Sequence, residues 1–415
     1  MSRSDAPSAV PGAHLSDAAD RRARTAALAC MIGLAVALGV GRFAFTPLLP
    51  LMLADGSIGL KAGSWLASAN YAGYFVGAVS CAALKIAPAR MVRIGLAATV
   101  LLTAAMGVGH LLPVWLVVRF VAGVVSAWTF VFVSQWGLRR LTELHAPEWG
   151  GVIYAGPGVG IVLTGLIGSA LAGHRAAPGW LGFAALSAVL SVVIWRIFGD
   201  APVAAAAAGQ PAAVARQAAT AAAPADARRH RADAAWLVVL YGMPGFGYII
   251  TATFLPVIAR AALPAGSPWP DLFWPMFGAA LIVGAIAAAR LPGHWDNRLL
   301  LAAGCATQAL GIAAGIVWPN AAGFSVGSAL LGLPFTAITL FAMREARRLH
   351  GERAAGLMGY ATASYGVGQI LGPLVAAPLT AHFGSFSPAL GGAAAALLVG
   401  AAGFAATAAR GRARP

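Results

Sequence analysis

Acidic side chains are scarce in this chain of 415 residues: 13 Asp and Glu stand against 28 Lys and Arg. None lies well inside a long apolar run, since Glu148, Asp271 and Glu345 all fall at run ends. That excludes a mid-membrane carboxylate whose raised pKa takes and releases a proton. Histidine offers no substitute, because His110, His174, His294 and His382 lie at run edges or in loops. Cysteine is limited to Cys30, Cys81 and Cys305, far apart, inside apolar runs and without metal-ligand spacing, so they read as core residues. With no His/Asp/Glu constellation inside the runs, an embedded enzyme is excluded, and neither a catalytic residue, a metal nor a cofactor is expected. No P-loop is present, which excludes ATP-driven work. No appended soluble domain that could report a signal is expected.

What the chain has instead is apolar length. It is 60% hydrophobic and 10% charged, the composition of a polytopic membrane protein in a lipid bilayer. The net charge of +15 is spread in short clusters between apolar runs rather than in a continuous stripe, so it points to the bilayer and not to nucleic acid. Twelve runs can be read: 25–54, 62–84, 92–112, 114–138, 149–173, 179–198, 235–259, 271–289, 299–318, 321–343, 354–381 and 386–409. The expected organisation is a polar N-tail (1–24), a first six-helix half (25–198), a linker (199–234), a second half (235–409) and a C-tail (410–415). The linker is low-complexity Ala/Pro with a basic end and reads as flexible. The first run is too long for a signal-peptide core and lacks a clear cleavage site, so it reads as a retained span.

Lysines and arginines set the orientation. The N-tail, the loops with Lys85, Arg90 and Arg93, with Arg139 and Arg140, with Arg290 and Arg298, and with Arg344 to Arg353, the linker and the C-tail all fall on one side. The other side offers Lys61, Arg175 and Arg260, so both termini and the linker are expected in the cytoplasm.

The chain also repeats itself. "GVGRFAFTPLLP" (Gly39 to Pro50) lies over "GFGYIITATFLP" (Gly245 to Pro256) at an offset of 206. "YFVGA" near Gly77 lies over "LIVGA" near Gly284 at 207, and "GVGIVLTG" (Gly158 to Gly165) over "GVGQILGP" (Gly366 to Pro373) at 208. One nearly constant offset across three helix pairs is the mark of a duplicated parallel six-helix unit.

This pattern resembles the major facilitator superfamily, which implies an all-α membrane fold of twelve transmembrane helices in two parallel halves. "RFVAGVVSA" (Arg119 to Ala127) resembles its Arg-x-x-x-Gly motif, and "GVIYAGPGVGI" (Gly151 to Ile161) its Gly-x-x-x-x-Gly-Pro-x-x-Gly motif, associated with exporters and antiporters. "GVGRFAFTPLLPLM", "NYAGYFVGA" and "SYGVGQILGPL" are similar to the YbfB/YjiJ-type branch of bacterial transporters. The loop after the second run, "GAVSCAALKIAPARMVR", keeps Gly77 and the basic residues of the superfamily's gate motif but has no aspartate. The resemblance implies a monomeric secondary transporter of the bacterial inner membrane, moving a small molecule by alternating access with proton or counter-substrate coupling.

Two arginines, Arg42 and Arg119, fit no loop. Counting about 1.5 Å per residue from the cytoplasmic ends puts them about 25 and 28 Å deep. With no carboxylate to neutralise them, they are expected to hold an organic anion through bidentate pairing. The alternative is that they bond helix carbonyls and that the substrate is neutral or cationic. Tyr71, Tyr74, Tyr154, Tyr248, Tyr365 and Gln369 are further candidates to line a cavity. Gly156, Pro157, Gly158 and Gly160, with Gly366, Gly368, Gly372 and Pro373, are expected to serve packing and bending rather than ligand contact. Trp65, Trp115, Trp180 and Trp269 read as interfacial anchors.

Overall fold

In a bilayer every backbone N–H and C=O must be satisfied inside the segment that carries it, so long apolar runs become helices. The computed structural model describes residues 11–199, 224–351 and 354–412, and among them there is no strand. The first helical path is α1 (Pro11–Leu34), a π-helical turn (Ala35–Val40) and α2 (Phe45–Ala54). It is followed by α3 (Leu60–Ser80), α4 (Pro88–Val108), α5 (Leu112–Glu143), α6 (Gly150–Tyr154), α7 (Gly156–Ala170) and α8 (Ala176–Trp195). After residue 224 come α9 (Pro224–Ala262), α10 (Trp269–Arg290), α11 (Asn297–Val317), α12 (Ala321–Gly332), α13 (Phe335–His350), α14 (Ala354–Phe383) and α15 (Ser387–Arg412). The helices overrun the expected boundaries: α1 begins inside the N-tail, α9 inside the linker, and α15 runs into the C-tail. The rest of the linker lies outside the described residues.

Among the described residues, ten helical stretches are long and apolar enough to cross a membrane. Their outward faces carry large apolar side chains, with Leu101 70% and Val192 73% exposed, whereas Asn70, Thr129 and Ser187 are buried. This is a multi-pass membrane protein whose polar groups turn inward.

Helices α3 and α14 are not among the ten, although both are long enough. They carry buried polar groups: Ser64, Ser68, Asn70 and Tyr71 on α3, Gln369 on α14. They also pack on each other, and Ser68 Oγ donates to the carbonyl of Ile370 at 2.9 Å. Each keeps an apolar stripe outward, Trp65, Val76 and Val79 on α3, and Val367, Leu371 and Val375 on α14.

Small residues let these helices approach closely. Gly73 and Gly77 of α3 lie against the backbone of α5 near Phe120 and Val124, leaving no space for a Cβ, and Gly368 of α14 lies as tightly on α9 at Gly242 and Gly245. Helix α7 packs along α10, and α2 meets α9, where Thr46 Oγ1 donates to the carbonyl of Ala252 at 2.8 Å, 206 positions away.

The two ends of the bundle are tied differently. At the basic end, Glu345 is buried and takes two bonds from Arg348 at 2.6 and 2.8 Å. Arg298 bridges Asp296 at 3.0 Å and the carbonyl of Thr407 at 2.9 Å. Burial raises the Asp296 carboxyl, but bonds from Arg298 outweigh it, and the net shift is below the usual range.

At the other end, Arg260 pairs with Asp271 at 2.5 Å, and Asp55 accepts from the Ala176 N–H at the start of α8 at 3.0 Å. Partial burial raises the Asp55 carboxyl as well, but the N–H of Ala176, both donors of Ser57 and the charge of Arg175 prevail and lower it. A depressed carboxylate stabilises the fold above its unfolded value of about 4, and that stability is lost as pH falls through the lower folded value. Wild type is therefore expected to melt above Asp55→Asn at neutral pH, with the gap closing as pH falls below the usual carboxylate range, measured by thermal unfolding in detergent. A gap that stays constant across that range would show that the carboxylate contributes nothing.

Candidate functional site

The path from Gly39 to Pro50 is not a regular helix. The N–H groups of Gly41 and Phe43 bond five residues back, to Val36 and Leu38, both at 3.0 Å. Pro47 has no N–H, and that of Thr46 is drawn to the carbonyl of Phe43 at 3.2 Å. The carbonyl of Arg42 is thereby left without its helical donor. Such widened turns recur at functional positions because they free backbone groups and re-aim a side chain. Gly39 makes the widening possible by lying directly on Gly160 of α7, with no room for a Cβ on either.

Arg119 of α5 fills the gap. Its Nη2 donates to the Arg42 carbonyl at 3.2 Å and its Nη1 to that of Gly41 at 3.4 Å. Its guanidinium lies 4.9 Å from the Phe45 ring, and Asn70 Nδ2 donates to its own carbonyl at 2.9 Å. The two arginines expected to share one site are therefore adjacent, but Arg119 holds the backbone on which Arg42 stands.

Arg42 is 5% exposed, and its Nε and Nη2 are buried without a hydrogen-bond partner. Its guanidinium faces rings, Tyr74 at 4.2 Å and both Tyr71 and Phe43 at 5.1 Å. Cation–π contact is worth about 2 kcal/mol when desolvated, but it supplies no acceptor for the N–H groups.

Around this group the chain gathers aromatic side chains from α3, α9, α10, α13 and α14. Tyr71 OH and Thr253 Oγ1 are 2.9 Å apart, and Gln369 donates to Tyr248 OH. Tyr365 stacks between Tyr248 and Tyr241, with centroids 5.8 and 4.8 Å away. Phe335 stands edge-on to Tyr248 at 4.9 Å, and Phe43 edge-on to Trp274 at 5.8 Å. Trp274 keeps its indole N–H buried and without a partner.

Of the residues singled out in the sequence, Arg42, Tyr71, Tyr74, Tyr248, Tyr365 and Gln369 come together here and Arg119 lies directly behind. Tyr154 does not; it sits beside Phe130. Sequence reasoning missed Phe43, Tyr241, Thr253, Trp274 and Phe335. Only Phe43 and Thr253 carried a signal, Phe43 as the neighbour of Arg42 and Thr253 by its place in the repeated segment.

The glycine and proline elements surround the same region. Gly156 and Gly160 of α7 lie on the first path at Met31 and Ala35, while a Cβ at Gly158 would stand 2.8 Å from the carbonyl oxygen of Gly278 on α10. Pro157 opens α7 just past the break after Tyr154, and Pro373 lies within α14. Gly368 and Gly372 face α9 at Gly242 and Ile249, while a Cβ at Gly366 would meet the Phe75 ring of α3 at 3.0 Å.

A cavity of about 780 Å³ lies elsewhere, at the basic end among Arg21, Arg22, Arg139, Arg140, Glu143 and Trp136. It holds none of the candidate residues, so chemistry and not volume marks the site. At the basic end the loop between α10 and α11, within "WDNR", places Asp296 against Arg298 at 3.0 Å, whereas the loop after α3 has no aspartate. Among the described residues, no group of three or more His, Cys, Asp or Glu is placed to hold a metal ion.

Two solved structures similar to this arrangement are those of transporters. A point mutant of the nucleoside transporter NupG superposes with a TM-score of 0.69 at 15% identity, covering 92% of this chain and 99% of the other. A D-xylose-proton symporter superposes with a TM-score of 0.68 at 13% identity, covering 92% and 96%. No curated protein sequence matches the chain. The profile described as "Uncharacterised MFS-type transporter YbfB" matches residues 34–404, nearly all of the chain between its tails. The match runs over most of the helical bundle and includes both buried arginines, Arg42 and Arg119, and the chain belongs to that family of major facilitator transporters.

Proposed function

We propose that the chain is a secondary transporter working by alternating access, an exporter or antiporter of the bacterial inner membrane, whose favoured substrate is a small organic anion held by Arg42. The observation that carries this reading is a guanidinium buried with two unpartnered nitrogens inside a cluster built from both parts of the chain. A buried charge without a counter-charge is strongly unfavourable, and an anionic ligand relieves it. In this reading α3 and α14 are the second and eleventh of twelve spans, their polarity turned to the centre, and residues 25–198 and 235–409 form the two halves. Both termini and the linker face the cytoplasm, the unit is a monomer, and a proton or counter-substrate drives exchange. The contact of Thr46 with Ala252, its partner in the repeat, supports a pseudo-two-fold axis between the halves.

One observation favours a second reading. Arg119 spends two donors on backbone carbonyls, so a mid-membrane arginine in this protein can be structural. If Arg42 were too, the transporter would take neutral or cationic compounds.

Exchange of radiolabelled carboxylates in reconstituted vesicles, with and without an imposed proton gradient, tests the proposal. Carboxylates are expected to exchange, while sugars and cationic compounds do not; the reverse result would overturn it. Gly158 and Gly366 each cross from one half to the other, onto α10 and onto α3, at matching positions of the repeat. Gly158→Leu or Gly366→Leu is expected to slow that exchange about tenfold or more while changing ligand binding less, because overpacked helices resist sliding. Equal loss of both in a folded variant would give these glycines a direct part in binding.

A further inference from the structure

The surroundings of Arg42 carry more information than its charge. Beyond the guanidinium the walls are rings. Tyr241, Tyr365 and Tyr248 form a stack with interplanar angles of 29° and 22°. Phe335 presents its edge to Tyr248, to Phe43 and to Phe277 at 72–76°.

The polar atoms on these rings are largely engaged already. Tyr71 pairs with Thr253, Tyr248 with Gln369, and Tyr241 OH donates to Thr339 Oγ1 at 3.1 Å. A solute with many hydroxyls entering this cluster would have to break those bonds or leave its own groups unpaired, and either is costly among buried groups. A flat apolar ring has no such cost. It can replace one ring–ring contact with another, in the offset-stacked and edge-on geometries already present.

Resting on the anion reading above, we propose that the ligand of this site is an aromatic carboxylate: one carboxylate paired with Arg42 Nε and Nη2, joined to a flat ring seated among Phe43, Tyr248, Phe335 and Tyr365. The carboxylate satisfies the two nitrogens that lack partners, and bidentate pairing fixes its plane. The ring meets the aromatic faces and edges that α9, α13 and α14 present beside Arg42. Selectivity then has two separable parts, the charge read by α2's leading turn and the flatness read by α9, α13 and α14.

Three probes separate the parts: benzoate, cyclohexanecarboxylate with the same charge and a puckered ring, and benzamide with the same ring and no charge. The full-length protein in detergent is titrated with each at constant ionic strength, and the concentration giving half-maximal thermal stabilisation is read. Benzoate is expected to act at a concentration about tenfold or more below cyclohexanecarboxylate, and benzamide to give no shift. If cyclohexanecarboxylate matches benzoate, the aromatic inference is overturned while the anion reading stands. If benzamide matches benzoate, the anion reading itself falls, and if none of the three stabilises the protein both fall. Phe335→Leu is expected to bring benzoate and cyclohexanecarboxylate within about threefold of each other, whereas Arg42→Lys weakens both alike. A folded Phe335→Leu protein that keeps the full preference would show that the rings do not confer it. Should that variant not fold, Tyr365→Leu reads the same quantity.

Discussion

Arg42→Met is expected to fold as well as wild type and to lose its ligand. In the structure Arg42 contributes little that stabilises the protein by itself: two of its nitrogens are buried and unpartnered, and its contacts are with ring faces. The rings return about 2 kcal/mol. Against that stands the desolvation of a guanidinium, several kcal/mol for an unpaired ion. An apolar side chain of similar length should therefore leave the melting temperature of the ligand-free protein unchanged or raise it. Binding behaves oppositely, because truncating one partner of a buried charge pair costs about 2–5 kcal/mol, a fall in affinity of about 30-fold or more. Arg42→Lys keeps the charge but not the fork, and is expected to lose about 1–3 kcal/mol. The measurement is thermal unfolding of purified wild type and variants with and without a stabilising carboxylate. A ligand shift that survives Arg42→Met in a protein that melts much earlier would show that the arginine supports the fold and not the substrate.

Such a residue is legible in sequence because it breaks a rule. One charge inside "GVGRFAFTPLLPLML" conflicts with the hydropathy around it, and a conflict between local pattern and global fold is where function is found. The repeat was legible for a similar reason, since glycines and a Leu-Pro pair recur where helices must approach or bend. Backbone detail was not. Nothing in the one-dimensional pattern says that Gly41 and Phe43 will bond five residues back, or that the carbonyl so released will be met by Arg119. Depth counting placed the two arginines side by side, but not the direction in which each donates. The aromatic cluster was hidden by composition, because Phe335, Trp274 and Tyr241 lie in apolar runs where a large ring reads as core or as an interfacial anchor. Helices α3 and α14 show the converse. Polar residues turned toward the centre keep them out of the set that apolar length and composition mark as spans, though each still shows an apolar stripe outward.

Arg119→Ala is expected to act on the other side of this division, as a loss of stability. Its guanidinium is 2% exposed and bonds the carbonyls of Gly41 and Arg42 at 3.4 and 3.2 Å. Removing it leaves two buried acceptors without donors, about 1–3 kcal/mol each, and a void beside Phe45. The sum, about 3–5 kcal/mol, is a large share of the stability of an ordinary domain and should appear as a melting temperature lowered by many degrees. Arg119→Lys can reach one carbonyl but not both, and should fall between. Because the same bonds fix the turn that carries Arg42, whatever fraction of Arg119→Ala folds should bind carboxylates more weakly without losing the preference for charge. Paired thermal and ligand titrations of Arg42→Met and Arg119→Ala distinguish the two roles: the first lowers affinity at constant stability, the second lowers stability first. If Arg119→Ala instead melts like wild type and loses affinity as Arg42→Met does, both guanidiniums bind the anion and the carbonyl bonds of Arg119 do not support the fold.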